Sequence, residues 1–334
     1  MSISSGQNQT GSAFISTCDA DTVARAAQAL RAGALVAFPT ETVYGLGADA
    51  QNAQAVARIY QAKGRPADHP LIVHIPSMDL MGEWAGDIPE YAITLARDFW
   101  PGPMTLVLPR SAIAKDFITG GQETVGLRVP AQPIALALLN EFVKAGGKGV
   151  AAPSANRFGA VSPTNALAVK DELGEYLQEG DLILDGGQSL VGVESTIIDC
   201  TGVAPMILRL GAVTAEMIQE STGLEALYKN PAGIKASGTL ESHYQPKAKV
   251  MLDVIAEAGD GLIAPDQIPT PDGVIRLAAP FTIEQYARDL YAALRLADEK
   301  GLEIVVVLQP GGDGLAAAIR DRLQRAAWPT RSAD

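Results

Sequence analysis

An α/β protein of two unequal domains is the fold that this sequence predicts, and three observations carry it. Helix-like and strand-like segments alternate along most of the 334 residues. Hydrophobic side chains make up 47% against 19% charged, enough to bury a sizeable core. Residues 221–249 break the pattern with glycines, prolines and little apolar periodicity, as linkers do. We therefore expect a first domain over 13–220, a linker over 221–249 and a smaller α/β domain over 250–329, with tails at 1–12 and 330–334.

Taken in order, the opening "MSISSGQNQTGSAFIS" has neither a basic start nor an apolar run, and no segment reaches the roughly 18 apolar residues of a membrane span. A cytoplasmic protein with no membrane partner is the expectation. Val23, Ala26, Ala27 and Leu30 fall at helical spacing with Gly33 placed to stop the helix, and "ALVAFP" follows as a buried strand. A helix over "AQAVARIYQAK" ends at Gly64; "LIVHI", "TLVLP" and "TVGLRVP" read as strands; "PIALALLNEFVKA" is a helix; "DLILD", "STIID" and "MILRL" are strands. Beyond the linker, "VMLDVI", "GVIRLAA" and "EIVVVLQ" read as strands. Thr282 and Gln285 form a capping-box pair that opens a helix with Tyr286, Leu290 and Leu294 inward.

Neighbouring residues of a strand face opposite ways, so a polar residue recurring on one face stands apart from the apolar core. His74 opposes Leu71, Val73 and Ile75; Thr124, Gly126 and Arg128 oppose Val125, Leu127 and Val129; Arg209 opposes Met206, Leu208 and Leu210. If these strands share a sheet, His74, Thr124, Arg128 and Arg209 form a polar floor. A single such residue is most simply one that faces water; the recurrence is what suggests a site. Three loops stand ready to roof it: "PTETVYGLG" at 39–47, "APSANRFGAVSPT" at 152–164 with Ser154, Asn156 and Ser162, and "DGGQSLVGVEST" at 185–196. Turn chemistry accounts for any one of them, but three together resemble a cradle, because small hydroxyls and backbone amides bind phosphate and carboxylate oxygens. Lys63 and Arg65 flank a glycine ahead of the stiff Pro66–Pro70 segment, a place where two cations are held still.

The formal charge of −12 speaks against a surface that binds nucleic acid by charge alone. Cys18 and Cys200 lie too far apart in sequence to suggest a disulfide framework or a zinc knuckle. There is no GxxxxGK[ST] loop, no HExxH helix and no GxSxG elbow. GxGxxA occurs at Gly45–Ala50 and Gly312–Ala317, a weak signal alone. With His69, His74 and His243 as its only histidines, the chain offers little for a metal cluster or a Ser-His-Asp triad, so Ser154 reads as a hydrogen-bonding group.

In order along the chain, "PTETVYGLG", "KGRP", "LIVHI", "FWPGPMTLVL", "TVGLRVP", "APSANRFG", "VESTIID" and "ILRLG" resemble the YrdC-like domain of the threonylcarbamoyl-AMP synthases. The match spans nearly all of residues 20–215. The linker "SGTLESHYQP" and the terminal unit are similar to the long, two-domain form of that family, the ordered KxR and SxN pair being the most specific part. The resemblance implies a YrdC-like twisted mixed sheet with helices and a smaller, Rossmann-like C-terminal domain. It also implies a reaction of L-threonine, bicarbonate and ATP to threonylcarbamoyl-AMP and pyrophosphate, with Mg²⁺ carried on the ATP and no metal held by the protein. The product would serve threonylcarbamoyladenosine formation in tRNA. Partners would be the downstream machinery that transfers the group, with room for a weak contact to tRNA.

Carried over by motif, Thr42, His74, Arg128, Ala152 and Ser195 are similar to the family's threonine contacts, Arg128 gripping the carboxylate. Arg65, His69, Thr124, Ser154, Ser162 and Arg209 match the nucleotide contacts, Lys63 and Asn156 complete the two signatures, and Tyr244 sits where the family's linker reaches into the site. Lys63 and Arg65 would clamp the triphosphate and so carry catalysis. Position 69 is His where the family usually has Asn, and the linker lacks the basic stretch that many members carry. Neither Glu41 nor Glu194 is assigned as a base. Two rivals are the carbamoyltransferase that matures hydrogenases, whose zinc motifs two distant cysteines cannot supply, and an RNA-binding module of the same fold without catalysis.

Overall fold

Side-chain caps and a left-handed glycine bound the helices of the first domain. In the computed structural model, which describes residues 15–16, 18–228, 233–238 and 243–327, Asp19 caps Ala20–Arg31, Asn52 caps Ala53–Lys63 and Gln132 caps Pro133–Lys144, each side chain accepting from the first-turn amides. Gly64 ends the second of these helices in a left-handed conformation, as its position predicts. The strands of the first domain are β1 (Ile15–Ser16), β2 (Val36–Phe38), β3 (Gly45–Asp49), β4 (Ile72–His74), β5 (Met104–Pro109), β6 (Thr124–Arg128), β7 (Val150–Ala151), β8 (Leu182–Leu184), β9 (Thr196–Asp199) and β10 (Met206–Arg209). They form one mixed sheet in the order β1-β8-β2-β3-β7-β4-β6-β5-β9-β10. Helices cover its faces, and the core is apolar on both sides.

Several elements escape the sequence pattern. "PTETVYGLG" reads as a loop, yet its second half is β3, antiparallel to both β2 and β7. Glycine disguises it: a methyl group at Gly47 would meet Phe38 and Val150, so the strand is glycine-rich because its neighbours fill the space. Helix Ala215–Thr222 runs through the expected boundary at residue 221 and ends at Gly223, so regular structure of the first domain continues two residues further. The tails at 1–12 and 330–334 lie outside the described residues.

Beyond the linker, β11 (Lys249–Leu252), β12 (Gly261–Ile263), β13 (Ile275–Ala278) and β14 (Ile304–Val307) form a wholly parallel sheet in the order β11-β14-β12-β13, flanked by helices Ile283–Glu299 and Leu315–Ala326. The predicted strand "VMLDVI" stops at Leu252 because Asp253 turns to a positive φ of 54°. Thr282 accepts from the Gln285 amide as a capping box requires, but Gln285 reaches back to the Phe281 amide, one residue earlier. Tyr286, Leu290 and Leu294 are buried. They pack in one cluster with Tyr244 of the linker and with Val43, Val161 and Val193 of the first domain, so an apolar core crosses the domain boundary.

Candidate active site

Register decides which side chains meet. Ile72 pairs with Gly126 and His74 with Arg128 across β4 and β6; Val107 pairs with Gly126, Thr105 with Ile197, and Arg209 with Ile197. Paired residues share a face, so His74, Thr124, Arg128 and Arg209 do lie on one side of the sheet, as alternation suggests. Above that face opens a cavity lined by both arginines, His74 and the three loops.

Two arginines form its floor. Arg128 donates through Nη2 to Glu41 (2.6 Å) and to the Thr42 hydroxyl (2.9 Å), and through Nε to the Gly102 carbonyl (3.3 Å), which leaves Nη1 without a partner among the described residues. Arg209 is fully engaged: Nε and Nη2 donate to the Ser195 carbonyl, Nη2 also to the Ser195 hydroxyl, and Nη1 to the Ser237 carbonyl in the linker. His74 stands beside Arg128 in edge contact with Phe38. Burial, reinforced by the Arg128 charge, pushes its pKa down to about 3, so the imidazole is neutral, and Nδ1 is buried without a partner.

The loops supply the walls. Thr40 bridges to the Thr42 hydroxyl at 2.8 Å and donates to the Val43 carbonyl. Ser189 and Val191 of the 185–196 loop donate to the carbonyls of Thr40 and Glu41, pinning two of the loops together. Ser195 shares a hydrogen bond with Thr105. Lys63 is 2% exposed, and its ammonium donates to the carbonyls of Ser154 (2.6 Å) and Asn156 (2.5 Å), so it ties helix Ala53–Lys63 to the 152–164 loop. Burial and the nearby Arg65 lower its pKa well below that of a free lysine. Asn156 in turn holds the loop by donating to the Arg157 and Ala160 carbonyls.

The linker closes the top. Segment 233–238 crosses the sheet face: Lys235 exchanges two hydrogen bonds with the Gln122 side chain and pairs with Asp68, while Gly238 lies against the Tyr244 hydroxyl. His243 and Tyr244 both line the cavity and are nearly inaccessible to solvent, Tyr244 at 1% exposure. A row of rings runs from His69 through Phe158, His243 and Tyr244 to Tyr291, with neighbouring centroids 4.1–6.2 Å apart.

The cavity thus brings together Thr42, His74, Arg128, Ala152 and Ser195, all five residues matched to threonine, with Ser154, Arg209 and Tyr244 of the nucleotide set. Thr124 lines an adjoining space shared with Lys235, Ala236 and Ser237. Lys63, Arg65, His69, Asn156 and Ser162 line neither. Ser162 is turned away, its hydroxyl donating to Glu194 at 2.6 Å. Arg65 donates to the Pro70 carbonyl and sits over the Phe158 ring at 5.8 Å, but its Nε is buried with no partner. Thr40, Ser237 and Gly238 join the lining without having been singled out individually, and so does Glu194, to which the sequence assigned no role.

Two family models match this chain: one described as "Telomere recombination" (Sua5_yciO_yrdC) over residues 28–211, and one for the threonylcarbamoyl-AMP synthase C-terminal domain over residues 213–328. The threonylcarbamoyl-AMP synthase of Pyrococcus abyssi is 41% identical over 321 residues, covering 90% of this chain and 92% of that one. That of Bacillus subtilis is 37% identical over 330 residues, covering 91% and 92%. Among solved structures, P. abyssi Sua5 complexed with L-threonine superposes with a TM-score of 0.85 at 38% identity, covering 94% of this chain and 97% of the other.

Proposed function

This chain belongs to the threonylcarbamoyl-AMP synthase family in its long, two-domain form, and from that premise we propose that its central cavity joins L-threonine, bicarbonate and ATP into threonylcarbamoyl-AMP with release of pyrophosphate. Threonine is the substrate its relatives support most directly. Bicarbonate, ATP and its Mg²⁺, and delivery of the product to a tRNA-modifying machinery, with at most a weak contact to tRNA, complete the reading.

The observation that carries it is a buried floor of two arginines and a neutral histidine ringed by small hydroxyls. The unpartnered Nη1 of Arg128 suits the threonine carboxylate, and the hydroxyls of Thr40, Thr42 and Ser195 surround the place beside it. Arg65 lines neither space, and its Nε, buried without a partner among the described residues, is the donor that a bound triphosphate would draw on. Threonine's amine captures carbon dioxide from bicarbonate as a carbamate, with water and a proton released; a carbamate oxygen then attacks the α-phosphorus, and pyrophosphate leaves. No protein nucleophile takes part, so catalysis is positioning and charge stabilisation. Segment 233–238 with His243 and Tyr244 lies across the site, and closure there keeps water from the mixed anhydride.

Incubating the protein with MgATP, threonine and bicarbonate and following the adenylate by mass spectrometry tests the reading. Adenylate and pyrophosphate should appear together and require all three. Pyrophosphate release indifferent to threonine and bicarbonate would overturn it.

A further inference from the structure

We infer that the C-terminal domain is a working part of the active site: Arg322 and Tyr291 hold Glu194 and Tyr244 in place from behind and are positioning residues for the nucleotide. The inference rests on the reaction proposed above. Glu194 belongs to the cavity wall, yet both its oxygens are turned to other partners. Oε1 accepts from Ser162; Oε2 accepts from the Tyr291 hydroxyl (2.9 Å) and from Arg322 Nε (3.1 Å), and both of those come from the second domain. Arg322 is itself buried and anchored, donating through Nη2 to the Leu210 carbonyl and through Nη1 to Asp321.

The same two side chains form the seat of Tyr244. The Arg322 guanidinium lies 5.5 Å from the Tyr244 ring centroid, and the Tyr291 ring stacks on it at 5.6 Å with 23° between planes. Tyr244 has a φ of 63°, which a residue with a side chain adopts only when its surroundings over-determine it. Its hydroxyl is buried at the cavity with no partner among the described residues. The packing therefore spends strain to aim an unpaired hydroxyl at the site. Charge completes the case, because an uncompensated carboxylate in the wall of a triphosphate site repels its ligand. Arg322 cancels that charge from outside the cavity. A cluster that served only to join two domains would have no reason to end in the cavity wall.

The test compares Arg322→Met, Arg322→Met/Glu194→Gln and Tyr291→Phe with the parent full-length chain in steady-state synthesis from MgATP, threonine and bicarbonate, with melting temperatures measured alongside. Arg322→Met should raise the KM for ATP about tenfold or more while the KM for threonine stays within about twofold. Adding Glu194→Gln should restore the ATP KM to within about threefold, since the freed negative charge is gone. If Arg322→Met does not fold, Tyr291→Phe keeps the ring stack, removes one hydrogen bond to Glu194, and should raise the ATP KM about threefold. The inference is overturned if the two KM values move together, if the double variant is no better than the single, or if Tyr291→Phe leaves the ATP KM untouched. A parent chain that makes no adenylate sinks the proposed function and this inference with it; a parent that makes adenylate beside indifferent variants sinks this inference alone.

Discussion

Arg65 and Lys63 stand two residues apart in one motif, but their surroundings give them different work. Removing the Lys63 ammonium strands two buried carbonyls, at about 1–3 kcal/mol each. Arg65 leaves only the Pro70 carbonyl without its donor. Arg65→Ala is expected to cut turnover by roughly 100-fold or more, since a charge-assisted phosphate contact is worth about 2–4 kcal/mol, and Lys63→Ala to cut turnover by loosening the 152–164 loop that its ammonium ties down. Only Lys63→Ala should also lower the melting temperature markedly. Equal melting temperatures would show that Lys63 does not anchor the 152–164 loop. The buried histidines make a second case. Burial holds His74 and His243 at a pKa of about 3, against 6.5 unfolded, so each binds a proton only on unfolding across that interval. The unfolded chain then carries more protons than the folded one, and stability, complete above about pH 6.5, falls as the pH drops. His69 is shifted the same way, also by burial first. The unfolding free energy from urea titrations should decline from pH 7 to pH 5, by up to about 1.4 kcal/mol per pH unit for each buried histidine. His243→Asn should flatten that decline substantially, and an identical slope in the variant would count against the buried neutral state.

At the scale of elements, the contact between the 185–196 loop and helix Ile283–Glu299 is set by one glycine. Gly192 has a φ of 80°, and a methyl group there would overlap the backbone of Ala287 and Arg288. Gly180, with a φ of 92° and open space around it, gives a control that meets the conformational strain without the clash. Gly192→Ala should therefore destabilise more than Gly180→Ala, by a further 1–3 kcal/mol or so, and raise the ATP KM by tilting the helix that carries Tyr291. Matching losses in the two variants would mean the close approach has no consequence. The linker is an element of the same kind: its composition reads as a tether, but the Gln122–Lys235 exchange and the Arg209–Ser237 hydrogen bond fasten segment 233–238 across the sheet face. A salt bridge as exposed as Lys235–Asp68 adds little to that.

For the molecule as a whole, the core around Tyr244 contains side chains of both domains, and the Glu194–Arg322 pair spans them in the buried interior. Thermal unfolding should accordingly be a single cooperative transition by fluorescence and by calorimetry, since neither domain can open without exposing part of the other's core. Two resolved transitions would show instead that the domains are independent units joined by a tether. The rival of a catalytically silent RNA-binding module draws no support from the site, whose arginines are buried beneath the linker and not spread over a face.

Local rules sufficed for what depends on neighbours in the chain. Gly64 ends its helix and Thr282 opens another because capping involves residues three or four apart, and period-two alternation placed His74, Arg128 and Arg209 on one face because the pleat dictates it. The motifs, taken with the resemblance they carry, were enough to name the five residues that the cavity draws together opposite the linker. What tertiary structure decided is what those rules do not reach. β3 is a strand because it pairs with β2 and β7, whose Phe38 and Val150 leave room only for glycine at position 47. Lys63 is an anchor because two carbonyls of a loop more than ninety residues away turn toward it. Glu194 meets Arg322 across 128 residues, with no periodicity or spacing to announce the pair, because two separately patterned domains bury a common core and bring their charges together inside it.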